Sequence, residues 1–184
     1  MPKTATTPVP PAAAVAKDAH WTATRDKLRA RQRPTATLTI CDDDALRKRL
    51  EEARTRHARA EHNAERAPDN DVLQAALAHA VDTLAAAQAA FDEAAIVLSF
   101  TAIGRTDFED LKKAHPPTED GAEDGQIVNV ETFAPELIAA TSQDGITPDD
   151  ARTYLDEWAE GEAAALFNTA WDLQAVVRMD LGKG

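Results

Sequence analysis

Small and apolar residues recur at regular intervals along two consecutive segments, and this spacing constrains the fold more than any other feature of the sequence. Along residues 43–67 and 71–95 they alternate at intervals of four and three, the heptad pattern of helices that pack along a seam. The seam positions are Leu46, Leu50, Ala53, His57, Ala60 and Ala64, then Leu73, Leu77, Ala80, Leu84, Ala87, Phe91 and Ala94. Pro68 ends the first helix, and Asp69 or Asp71 can cap the second. The pattern predicts an antiparallel helical hairpin, with arms of about 37 Å at a rise of about 1.5 Å per residue.

Two short runs with the composition of β-strands flank this hairpin. Threonine alternates with Leu38 and Ile40 in TATLTICDD, and β-branched residues are concentrated again in IVLSFTAI, residues 96–103. Because a strand needs a partner for its backbone hydrogen bonds, the two runs are expected to pair. Residues 35–103 are therefore predicted to form a strand, a helical hairpin and a second strand.

Residues 104–178 have the start and stop signals of a small helical domain. Thr106 and Glu109 can form a capping box at the start of a first helix, which ends at His115 because a residue before proline disfavours the helical conformation. The sequence TEDGAEDGQ that follows is expected to be an acidic loop broken by glycine. A second helix follows this loop, with Thr132 as its cap.

Two further helices complete this acidic four-helix domain. The sequence TPDD, residues 147–150, supplies an N-cap, a proline at the first helical position and acids near the positive end of the helix dipole. Glu160 and Gly161 make a tight connection to the fourth helix. Because helix-forming residues dominate the composition, the expected fold class is mostly α. The hairpin is flanked by a short two-stranded β element and followed by a C-terminal bundle of about four helices.

Charge is unevenly distributed along the sequence. Residues 1–67 contain 14 Lys and Arg against 9 Asp and Glu, whereas residues 68–184 contain 6 against 23, and the net charge is −12. An acidic surface repels phosphate, which disfavours nucleic-acid binding by the larger part of the chain. Residues 21–34 form a basic segment, preceded by a Pro/Ala/Thr tail, residues 1–20, that is expected to be disordered. Residues 179–184 are expected to form a C-terminal tail.

The sequence offers no membrane-directed segment. Its N-terminal part contains four prolines and no continuous apolar core, unlike a signal peptide, and no run approaches the roughly 18 apolar residues of a membrane span. Cys41 is the single cysteine, so no intrachain disulfide can form. We expect a protein of the cytoplasm that does not associate with membranes.

Candidate sites for chemistry are few. His115 precedes a cluster of acids, but these lie in a glycine-containing loop without a second histidine, which favours a helix end over a metal site. Cys41 is followed by three aspartates, an environment that disfavours a reactive thiolate. Phosphate-binding, nucleophile-elbow and dinucleotide motifs are absent from the sequence. We therefore predict a non-enzymatic protein without catalytic residues, metal or cofactor.

Apolar and aromatic residues of the helical domain remain as candidates for binding an apolar segment of another protein. The candidate contact residues are Phe108, Leu111, Phe133, Leu137, Trp158, Leu166 and Trp171. A place in the core is the favoured alternative for Trp158. Both interpretations stay open for Trp171, because it lies at the edge of its helix's apolar stripe.

Four motifs follow one another in order between residue 102 and the C-terminus. They are AIGRTDFEDLKKAHPPTEDG, VNVETFAPELIAATS, ITPDDARTYLDEWAEGEAAALFNTAW and the terminal DLGKG. In this order they resemble the tail assembly chaperones of long-tailed, siphovirus-type bacteriophages that infect actinobacteria. The stretch LRARQRPTATLTI resembles the start of these proteins less specifically. Ala163 and Ala164 depart from the family's pattern, in which a bulky aromatic or polar pair is expected.

The resemblance implies a non-enzymatic role in virus assembly. Proteins of this family bind the long, aggregation-prone tape measure protein in the host cytoplasm, keep it soluble and help the tail tube protein polymerise around it. They are usually absent from the mature virion. The heptad hairpin could contact the client's helices or support a homo-oligomer. Two alternatives stay open: a structural component of the tail or of the head-tail connector, and a nucleic-acid-associated regulator acting through residues 17–33.

Overall fold

The computed structural model describes residues 12–179, and the chain is mostly helical with one short β element, which confirms the expected fold class. The helices are α1 (Ala12–Arg29), α2 (Asp44–Arg66), α3 (Asp71–Ala94), α4 (Arg105–Ala114), α5 (Glu119–Glu123), α6 (Val130–Thr141), α7 (Pro148–Glu157) and α8 (Glu160–Asp172). The strands are β1 (Thr35–Ile40) and β2 (Ile96–Thr101), and a single 3-10 turn, Leu173–Ala175, follows α8. The chain divides into two units, residues 1–33 and residues 34–184.

Helix α1 is the described element of the first unit, and it begins inside the segment expected to be disordered. Residues 12–20 are helical, so the prediction for residues 1–20 is wrong for this part, whereas residues 1–11 lie outside the described residues. The physical reason is the alanine-rich sequence at residues 12–16, because alanine has the highest intrinsic helix propensity. Trp21 and Leu28, both in the predicted basic segment, are exposed on this helix.

Helices α2 and α3 form the predicted hairpin. Leu50, Ala53 and Ala87 are buried together in its seam, with Leu84 and Phe91 packed around them. Small residues at these positions let the two backbones approach closely. Ala94, the last predicted seam position, is exposed because α3 ends there and the chain turns into β2.

The caps of the hairpin helices are short polar side chains that accept bonds from free backbone N–H groups. Asp43 caps α2 by accepting from the N–H groups of Ala45 and Leu46. Asn70 caps α3 in the same way, so the expectation of Asp69 or Asp71 is wrong. The difference follows from where the helix starts, since Asp71 is its first residue.

Strands β1 and β2 pair antiparallel, with Leu38 opposite Leu98. Side chains alternate between the two faces of the sheet, so the threonines of β1 are exposed, whereas Ala36, Leu38 and Ile40 are half-buried. Phe100 of β2 is fully buried and joins the sheet to the helical part of the unit. Residues 142–144, after α6, continue this contact, because the N–H of Gln143 donates to the carbonyl of Ser99 at 2.8 Å.

The C-terminal part contains five α-helices rather than the expected four. The additional helix is α5, which lies in the sequence predicted to be an acidic loop. Thr118 makes this short helix possible, because its hydroxyl accepts from the N–H of Gly121 at 3.1 Å. A turn follows at Gly125, whose positive φ of 81° is accessible to glycine at low cost.

Two of the predicted helix starts are wrong and one is confirmed. Helix α4 begins after Gly104 without a side-chain cap, so the Thr106 capping box does not form. Asn129, not Thr132, caps α6, because the helix extends one turn further towards the N-terminus than expected. At α7 the predicted start is correct, and Thr147 and Asp150 form a reciprocal capping box.

One hydrophobic core holds the sheet and the C-terminal helices together. Its buried residues come from β2, α6, α7, α8 and the connecting segments, and they are Phe100, Ala102, Val128, Phe133, Leu137, Ile138, Ala151, Leu166, Ala170 and Leu173. Half-buried residues of β1 and α4 pack against this core from its periphery. Burial of this apolar surface is the main stabilising contribution in this part of the unit.

Candidate interaction site

His115 lies at the end of α4 and connects it to the start of α6. Its carbonyl accepts from the N–H of Asn129 at 3.0 Å, and its Nδ1 lies 3.0 Å from the hydroxyl of Thr132. Its ring meets Phe133 edge to face, with 6.2 Å between the ring centroids. Within residues 12–179 no group of three or more His, Cys, Asp or Glu side chains is placed to hold a metal ion. The contacts of His115 are those of a joint between helices.

Three of the predicted contact residues lie in the core. Phe133, Leu137 and Leu166 have no exposed surface, so a partner that docks on this conformation cannot touch them, and their assignment as contact residues is wrong. The reason is that α6 and α8 turn these side chains towards each other and towards the sheet. Sequence periodicity identifies an apolar stripe on a helix but not which stripes meet.

Phe108, Leu111 and Trp171 are half-buried at the edge of the same core. Trp171 packs between aromatic rings, with centroids 5.7 Å from Phe108, 5.8 Å from Phe133 and 5.8 Å from Phe167. The ammonium of Lys112 lies 4.9 Å from the Phe108 ring centroid and covers part of it. Most of this aromatic surface is therefore engaged within the fold.

Trp158 is half-buried and packs against the core, the interpretation favoured from the sequence, and it also lines a groove. The groove runs between the sheet, the base of the hairpin and the segment that joins α7 to α8, and it has a volume of about 660 Å³. Its apolar lining comes from Leu38, Ile40, Phe91, Ile96, Leu98, Ile146, Tyr154, Trp158 and Ala165. Trp158 stacks on Tyr154, with ring centroids 5.0 Å apart and an angle of 19° between the planes. These two rings form a flat apolar wall.

Charged residues line the same groove. Asp42 and Glu162 are exposed, and neither forms an ion pair within the described residues. Arg47 is the single cation in the lining, and it is paired with Asp44, whose hydrogen bond and charge raise the pKa of Arg47. The groove therefore combines an apolar wall with an acidic rim. Such a surface is chemically suited to an amphipathic segment that carries Lys or Arg beside its apolar face.

Sequence reasoning missed this groove because its lining comes from several distant parts of the chain. Leu38, Phe91 and Ile146 lie more than fifty residues from one another in the sequence. The pairing of β1 with β2 and the contact of residues 142–144 with β2 bring these parts of the chain together. One local signal was present: Tyr154 and Trp158 are four residues apart, which places them on one side of a helix.

A second depression lies between α6, α7 and α8. It has a volume of about 600 Å³ and includes Ala163, Ala164 and Phe167 in its lining. The two alanines are among the positions at which the sequence departs from the pattern of the phage proteins that it resembles. Small side chains at these positions leave space that a bulky pair would fill.

No family model, curated protein or solved structure matches this chain. Within residues 12–179, none of the helices combines the length and the apolar character that a membrane-spanning helix requires. The assignment of a function therefore depends on the motifs of the sequence and on the geometry of the groove.

Proposed function

We propose that this protein is a non-enzymatic tail assembly chaperone of a long-tailed bacteriophage. It binds the tape measure protein in the host cytoplasm, keeps it soluble until the tail tube protein assembles around it, and is left out of the mature virion. The observation that carries the proposal is the apolar groove with its acidic rim, which matches the chemistry of a helical, amphipathic client.

The positions of the resemblance motifs support the proposal. His115 joins α4 to α6, Thr118 caps α5, Asn129 caps α6 and Thr147 caps α7, and each of these residues belongs to one of the quoted motifs. The motifs that carry the resemblance therefore include residues with a structural role at helix ends.

The charge of the protein also suits this role. The region between residues 68 and 184 carries 23 Asp and Glu against 6 Lys and Arg, so a complex with an apolar client retains a large net charge. Net charge far from zero keeps protein complexes soluble. A shallow groove permits release of the client when the tube forms, because its apolar contact area is limited.

Co-expression with the tape measure protein tests the proposal. We expect the client to be mostly insoluble alone and mostly soluble with this protein, and the two to co-elute in size-exclusion chromatography. If the client's solubility is unchanged and no complex is recovered, the proposal is wrong. Mass spectrometry of purified virions distinguishes a chaperone, which is absent, from a structural tail component, which is present in stoichiometric amounts.

Charge reversal at the groove tests the site. The double substitution Asp42→Lys and Glu162→Lys changes exposed residues and should weaken client binding at least about threefold, because it replaces attraction for basic client residues by repulsion. The double substitution Glu65→Lys and Asp69→Lys, at exposed residues near the hairpin turn, makes the same charge change and is the matched control, so it should leave binding unchanged. Equal binding by both variants would remove the groove from the proposal.

A further inference from the structure

We propose that the free edge of β1 pairs with the β1 strand of a second copy of this protein, which joins two sheets into one of four strands. This interaction differs from client binding in what it uses: it depends on the outward backbone groups of β1, although Thr39 at this edge also lines the groove. It follows from the direction of the backbone groups of β1, from what covers β2 and from the sequence of the strand itself.

The hydrogen bonds of Ser99 show which backbone groups of the sheet point outwards. Its N–H donates to the carboxylate of Asp144 at 2.6 Å, and its carbonyl accepts from Gln143 at 2.8 Å. Both groups therefore point away from β1, so Thr37, which is opposite Ser99, is in a pair that is not hydrogen-bonded across the sheet. Since the pattern alternates, the N–H and C=O groups of Thr35, Thr37 and Thr39 all point away from β2.

The two edges of the sheet differ in what covers their backbone groups. The edge of β2 is occupied around Ser99 by residues 142–144. On the edge of β1, no hydrogen bond within the described part of the chain reaches the outward backbone groups of Thr35, Thr37 or Thr39. Proteins usually protect such an edge with a charged residue, a bulge or a covering segment. Residues 35–40 contain no charge, and their pairing register is continuous.

The sequence of β1 is suited to pairing with itself in the antiparallel direction. With the two-fold axis at Thr37, each Thr35 lies opposite the Thr39 of the other copy, and the three pairs each exchange two backbone hydrogen bonds. Threonine is then opposite threonine on the exposed face, a favourable cross-strand pair. On the other face, the small Ala36 lies opposite the larger Leu38.

The charged residues that flank β1 also favour antiparallel over parallel pairing of two copies. Arg31 and Arg33 precede the strand in the sequence, and Asp42 and Asp43 follow it. Antiparallel pairing places the basic start of one strand beside the acidic end of the other, whereas parallel pairing would place like charges together. A second copy therefore fits this edge by backbone direction, by side-chain size and by charge.

Analytical ultracentrifugation of the full chain over a range of concentrations tests the proposal. We expect a monomer–dimer equilibrium that Thr37→Pro weakens at least about tenfold, because proline removes the central N–H donor from both copies. Val97→Pro is the matched control, since the N–H of Val97 points away from β1 on the other edge, and it should leave the dimer intact. Equal circular dichroism spectra verify that the variants are folded.

Cysteine cross-linking tests the geometry of the dimer. In a Cys41→Ser background, a mixture of Thr35→Cys and Thr39→Cys chains should cross-link to each other more than either does to itself. Preferred cross-linking of Thr35→Cys to itself would indicate parallel pairing and overturn the proposal. A folded Thr37→Pro chain that dimerises as well as the original, or a protein that is monomeric at all concentrations, would also overturn it. The solubility of the client in co-expression is a separate readout, so failure of the dimer proposal and failure of the proposed function can be distinguished.

Discussion

Short polar residues at helix ends determine much of the local structure of this chain. Asp43, Asn70, Thr118, Asn129 and Thr147 each accept a hydrogen bond from a backbone N–H in the first turn of the following helix. Each bond satisfies a donor that would otherwise be left without an intrahelical partner. Among these caps, Thr147 forms the only reciprocal capping box recorded in the described residues.

Removal of the Thr147 cap should lower the stability of the protein. Thr147→Ala should lower the free energy of unfolding by about 1 kcal/mol, because the N–H of Asp150 loses its partner. Thr106→Ala is the control: Thr106 was expected to cap α4, but no side chain caps that helix, so the substitution should have little effect. Urea unfolding followed by circular dichroism measures both. Equal losses in the two variants would contradict the role of Thr147.

The stabilisation by the Thr147 cap should depend on pH through the ionisation of Asp150. Hydrogen bonds from the hydroxyl and the backbone N–H of Thr147 lower the pKa of Asp150 below its usual range. A lowered pKa in the folded state means that the stabilisation is present at neutral pH and is lost as pH falls through that lowered value. The stability advantage of the original chain over Asp150→Asn should therefore be constant near neutrality. It should shrink in unfolding experiments below about pH 4.

At the scale of elements, the hairpin depends on small residues in its seam. Ala53 and Ala87 are buried where α2 and α3 meet, next to Leu50. The outward side of α3 also carries many alanines, but there they are exposed and favour the helix through propensity alone. The same residue type therefore has two roles in one helix, and its position relative to α2 decides which.

Leucine substitutions on α3 separate these two roles. Ala87→Leu should destabilise the hairpin by about 1–3 kcal/mol, because the added atoms do not fit between the helices. Ala86→Leu places the same side chain at the adjacent, exposed position and should change stability by less than about 0.5 kcal/mol. Thermal unfolding of the two variants gives the comparison. A similar midpoint for both would mean that α2 and α3 are not closely packed at Ala87.

At the scale of the whole molecule, the β element connects the hairpin to the C-terminal helices. Strand β1 precedes the hairpin in the chain and β2 follows it. Phe100 of β2 is buried among residues of the helical core. The groove and the free strand edge both depend on this connection, since Leu38 lines the groove and lies in β1.

Phe100 should contribute much of the stability of the contact between the sheet and the helical core. Phe100→Ala should lower the free energy of unfolding by about 3–5 kcal/mol, because it leaves a cavity at the centre of the core. Val97→Ala, at a half-exposed position of the same strand, should cost far less. Chemical denaturation monitored by tryptophan fluorescence in a Trp21→Phe background reports on Trp158 and Trp171. Comparable losses in the two variants would show that Phe100 does not anchor the sheet.

Local patterns predicted the hairpin, both strands and the start of α7, but not α5 or the helical residues 12–20. The heptad spacing determined the hairpin, the alternation around Leu38 determined β1, and TPDD determined the start of α7. These predictions were correct because each depends on interactions between residues close in sequence. The starts of α4 and α6 were wrong by one turn or less, since several polar residues near each start can serve as caps and only the complete helix selects one.

Which apolar residues became core and which remained accessible was decided only by the tertiary structure. Phe133, Leu137 and Leu166 have the same periodic signature as any exposed apolar stripe, and they are buried because α6, α8 and the sheet meet there. Trp158 remains at a groove because Leu38, Phe91 and Ile146 approach it from distant parts of the chain. The outward direction of the Thr37 backbone groups likewise follows from pairing with β2. Side-chain patterns establish what an element can bury, whereas the packing of elements establishes what is left to bind a partner.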